Sequence, residues 1–144
     1  MDFWGMIKKF ILGLLALLSL LLGVNIYTDF RSMGTKAFYQ INDFIPIDLQ
    51  EWLPGMVESE FFLYNLPDLL WMYAFLLMIP LIWGFKFSKE MIFWASSVVF
   101  LGFGFELLQY WDLVPGTFDW MDMTGLTMAL FISYLTFFVL KMNL

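Results

Sequence analysis

The chain has 144 residues, 62% hydrophobic and only 14% charged, with no cysteine and no histidine. A soluble domain is roughly half apolar and about a quarter charged, so this composition excludes one, and it also excludes disulfides, thiolate metal sites and imidazole bases. The net charge of −6 is the opposite of the basic footprint that nucleic-acid binding requires.

The first predicted element is a leucine-rich run over 10–27, preceded by Lys8 and Lys9. A hydrocarbon core of about 30 Å takes roughly 20 apolar residues as helix. A cleaved signal peptide is the competing reading, but Val24-Asn25-Ile26-Tyr27-Thr28 has no small-x-small cleavage site. An uncleaved anchor is therefore expected. Gly13, Ala16, Ser19 and Gly23 form a stripe of small residues along it.

Residues 28–65 follow as one long outer loop. Asp48 with Glu51 has the spacing of a capping box, and Pro54-Gly55 would stop the short helix it opens. Ile45, Ile47, Leu49, Trp52 and Leu53 could lay this piece on the membrane surface. The segment reads as a lid over the spans, with a docking surface for a partner as the alternative.

Three more spans are predicted at 66–85, 91–110 and 121–140. Pro67-Asp68 opens the second, and Pro80 predicts a kink within it. A tight inner hairpin over 86–90 joins the second span to the third. Pro115-Gly116 marks an outer turn before the fourth, where Thr117 or Asp119 can cap the helix. Only helices satisfy their backbone in lipid here. The expected fold is an all-α membrane protein, a single integral domain forming a four-transmembrane-helix antiparallel bundle. Lys8, Lys9, Lys86, Lys89 and Lys141 all fall on one side of it, while Arg31 and Lys36 face six acids on the other. The positive-inside bias puts both termini in the cytoplasm.

Polar residues within spans carry the most information. Glu106 and Gln109 share one face of span three with Gly102. Asp119 and Asp122 open span four, above a small-residue stripe at Gly125, Ala129 and Ser133. Trp71 and Phe75 lie on the face of Asp68. Because the spans alternate in direction, Asp68, Glu106, Gln109, Asp119 and Asp122 should meet near the outer boundary. Trp71, Tyr110, Trp111 and Trp120 stand at that level as an aromatic belt would. Asp68, Asp119 and Asp122 also read as helix caps. Glu106 does not, because its helix continues on both sides.

Three short motifs occur in order. An acid heads a span in Pro67-Asp68-Leu69-Leu70-Trp71-Met72-Tyr73-Ala74-Phe75; Phe105-Glu106-Leu107-Leu108-Gln109 has the form Glu-x-x-Gln; Phe118-Asp119-Trp120-Met121-Asp122 pairs two acids at the start of the last span. Together they resemble the VanZ-like membrane protein family, over about half the chain. Trp71 stands near the family's histidine position, Gly116-Thr117 where an arginine commonly precedes the paired acids, and Leu126 near an asparagine position. The resemblance implies an integral protein of a bacterial cytoplasmic membrane. The family's founding member is associated with glycopeptide-antibiotic resistance at the cell envelope. The resemblance supplies no enzyme class.

The expected function is non-catalytic. An acidic pocket built from Asp68, Trp71, Glu106, Gln109, Asp119 and Asp122 would bind a lipid head group, an envelope precursor or a cationic amphiphile. One alternative is a small structural subunit or homo-oligomer, joined through the small-residue faces. Another is an intramembrane enzyme using paired carboxylates. No cofactor or metal is implied. Membrane lipids are the expected partners.

Overall fold

A computed structural model describes residues 3–30, 59 and 61–142. Helix α1 spans Phe3–Phe30. A single turn of π-helix, Phe61–Asn65, runs directly into α2, Leu66–Trp83. Helices α3, Lys89–Tyr110, and α4, Trp120–Met142, complete the fold. Among the described residues, four segments are long and apolar enough to cross a membrane: Phe3–Tyr27, Phe61–Trp83, Lys89–Tyr110 and Trp120–Met142. The described residues form an all-α, four-helix bundle that fits a multi-pass membrane protein.

Several boundaries differ from those expected: helix α1 runs on to Phe30 rather than ending at Tyr27, and α2 ends at Trp83 rather than Phe85. Helix α1 starts at Phe3, so Lys8 and Lys9 lie inside it. An apolar window measures the part of a helix that suits lipid, and lysine is itself a good helix former. Residues 61–65, assigned to the outer loop, are helical. Pro67 has no N–H to bond back to Leu63, and the wider π turn sits just ahead of it. The capping box at Asp48 and Glu51, the Pro54-Gly55 stop and the lid all lie outside the described residues.

Helix α2 is the hub. Its buried residues Leu69, Met72, Leu76 and Ile79 recur at helical spacing and pack with Leu126, Ala129 and Phe137 of α4 and Met91 of α3. Its other side, Ala74 and Leu77, packs on Leu12 and Ala16 of α1. A helix that is apolar all round belongs in a core or a membrane; α2 packs on two sides and leaves Phe75, Met78 and Ile82 exposed. The stripes of small residues face this hub. A Cβ at Gly13 would lie 3.8 Å from Leu81, and one at Gly125 would lie 3.7 Å from the Asn65 carbonyl oxygen. Ala16, Ser19 and Gly23 of α1 are buried, as are Gly125, Ala129 and Ser133 of α4. The faces that the sequence offered to a second copy or a partner are thus occupied by α2. Small residues give helices close approach, and here that approach is made within one chain.

The hairpin between α2 and α3 is built locally. Gly84, at φ 81°, ends α2 and donates its N–H to the Pro80 carbonyl at 2.8 Å. Ser88 caps α3, its Oγ accepting from the Met91 N–H at 3.2 Å. Lys141 sits over the Phe87 ring, 4.5 Å from its centroid, so the end of α4 meets this hairpin. The described lysines mark this end of the bundle, and the acids of the three motifs mark the other.

Candidate functional site

Each functional side chain at the acid end is placed by a helix terminus. Asp68 stands in the first turn of α2, directly after Pro67, and Trp71 follows one turn later. Glu106 and Gln109 lie in the last turns of α3. Between these helices and the end of α1 is a cavity of about 760 Å³. Tyr27, Asp68, Trp71, Glu106 and Gln109 line its polar part, and Phe75, Val98, Leu101 and Phe105 are among its apolar walls. Phe75, Leu101 and Phe105 are each about half exposed, so the cavity opens sideways to lipid along α2 and α3.

Glu106 is only 8% exposed. Its Oε2 is buried without a hydrogen-bond partner among the described residues. The carboxylates of Asp122, Asp68 and Asp119 are close enough to act on it electrostatically, and the Asp119 backbone N–H partly offsets them. Among the described residues, no three acids come together as metal ligands. The described lysines all lie at the opposite end of the bundle. Arg31 and Lys36 lie outside the described residues.

Trp71 rests its indole edge on α1. A Cβ at Gly23 would stand 2.7 Å from both Cδ1 and Nε1 of Trp71, an approach only glycine permits. The indole N–H is buried there without an acceptor among the described residues. Tyr27 packs on the same indole, ring centroids 5.9 Å apart and planes at 33°.

Asp68, Trp71, Glu106 and Gln109 therefore share one cavity. Asp119 and Asp122 do not line it. Asp119 is exposed and caps α4, its Oδ1 accepting from the Met121 N–H at 2.9 Å. Asp122 Oδ1 accepts from Asn65 Nδ2 at 2.5 Å. The paired acids thus frame the site from behind while the cavity is walled mainly by α2 and α3. The amide of Gln109 is folded against the outer turn. A Cβ at Gly116, where φ is 136°, would lie 2.5 Å from Gln109 Nε2.

Two participants escaped the sequence reading. Asn65, buried at 3% exposure, fell inside the predicted loop; its position just ahead of Leu66-Pro67-Asp68 was the available signal. Tyr27 only closed the first predicted span, and nothing in its neighbours pointed to Trp71. The chain matches no protein-family model, no curated protein and no solved structure.

Proposed function

We propose that this is a non-catalytic, VanZ-like protein of the bacterial cell envelope that binds an amphiphile at the outer face of the cytoplasmic membrane. The polar head would lie against Glu106 and Asp68, and the apolar tail along Phe75, Val98 and Leu101. The observation that carries this reading is a cavity of about 760 Å³ open to lipid, with Glu106 Oε2 buried beside it and lacking a donor among the described residues. Ligand sites are typically mostly apolar clefts of this order with a few placed polar groups. The five lysines at the far end support a cytoplasmic location for both termini, which puts the cavity outside. Among the described residues, no serine, lysine or arginine lines the cavity, so the carboxylates have no evident nucleophile to activate there.

The test compares wild type with Glu106→Gln in neutral micelles, against phosphatidylethanolamine, phosphatidylglycerol and dodecylammonium. At least one amphiphile should raise the melting temperature of the wild type. The variant should fold and lose at least about tenfold in affinity for it, as expected when a charged hydrogen-bonding group is removed. Equal protection of both proteins would contradict the reading.

A further inference from the structure

We propose that the cavity selects a chain-bearing primary ammonium head, R–NH₃⁺, over a quaternary or a neutral one; this rests on the ligand-binding function proposed above. Charge gives the sign. Asp122, Asp68 and Asp119 all act on Glu106, while the lysines among the described residues stand at the opposite end. Carboxylates gathered in a medium less polar than water repel one another unless a cation joins them.

Hydrogen bonding gives the type of cation. Glu106 is more than nine-tenths buried, and its Oε2 has no donor among the described residues. A buried acceptor left without a donor is unfavourable. A primary ammonium brings three N–H donors, whereas a trimethylammonium brings none and holds its charge behind methyl groups.

The aromatic residues decide in the same direction. Cages for quaternary ammonium surround the cation with ring faces. Tyr27 and Trp71 instead lie on each other, with centroids 5.9 Å apart, leaving no slot between them for a trimethylammonium. The apolar walls and their opening toward lipid require a tail, because a head alone would leave Val98, Leu101 and Phe105 uncovered. A metal ion is a poorer fit, since no three described acids converge as ligands.

The experiment uses the full chain in neutral maltoside micelles, with binding read by native mass spectrometry. The probes are dodecylammonium, dodecyltrimethylammonium, dodecanol and chain-free ethanolamine. Dodecylammonium should bind at least about tenfold more tightly than its trimethyl analogue, with dodecanol and ethanolamine weaker still. Glu106→Gln should bring the two cations to within about twofold of each other. Gly104→Ala, on α3 where an added Cβ meets nothing within 4 Å, should preserve the preference. The wild-type ratio decides the matter even where a variant fails to fold. A trimethyl analogue that binds as well or better overturns primary-ammonium selectivity and leaves the ligand-binding function standing. Ethanolamine binding as tightly as dodecylammonium overturns the role of the tail. Failure of every probe, and of the phospholipids above, removes both proposals.

Discussion

Trp71 and Gly23 show how closely α1 and α2 are fitted at the site. Indole is rigid, so a methyl group placed 2.7 Å from two of its atoms must move the ring or the helix. Gly23→Ala is predicted to destabilise the protein by about 1–3 kcal/mol, the usual range for overpacking, and to weaken ligand binding by displacing Trp71. Gly104 on α3 has no neighbour within 4 Å of a built Cβ. Gly104→Ala should be neutral, or stabilising by up to about 1 kcal/mol through helix propensity. Chemical unfolding in micelles checks the pair. Equal effects of the two substitutions would mean that Trp71 does not rest on Gly23.

Helix α1 illustrates what a span-level reading leaves out. Lys8 was a marker of membrane orientation in the sequence. In the structure it lies one turn from Leu12 and two from Ala16 on the buried face, only 4% exposed, with no partner for Nζ among the described residues. The i, i+4, i+8 spacing was legible, but its use required knowing that the helix begins at Phe3. A buried ammonium without a partner opposes folding. Lys8→Met keeps the length of the side chain and removes the charge, so it is predicted to raise the thermal midpoint. A fall would mean that the ammonium is paired in solution. The central role of α2 was equally hidden. Its apolar residues are spread around the whole helix, so no single face in the sequence announced that both small-residue stripes would pack against it.

For the whole molecule, the four helices and the level of the acids were legible. Long apolar runs determine the first, and alternating direction determines the second. What the sequence could not supply was rotation about each helix axis. Asp68 and Glu106 turn into the cavity, whereas Asp122 turns to Asn65 and Asp119 to the amide of Met121. Those choices depend on how the helices pack, and the same residues would cap a helix in either arrangement.

In the proposed binding mode, carboxylates from separate helices present Glu106 to an ammonium head beneath the membrane surface. The most direct measurement is a solid-state NMR distance in bilayers, between ¹⁵N-labelled dodecylammonium and ¹³C-carboxyl-labelled glutamate. The chain has five glutamates, Glu51, Glu58, Glu60, Glu90 and Glu106, so loss of the signal in Glu106→Gln assigns it. A nitrogen-to-carboxyl separation of about 4 Å or less, the geometry of a charge-assisted hydrogen bond, is the predicted result. Bound dodecylammonium with no glutamate at that distance, or with a contact that survives Glu106→Gln, would contradict the account.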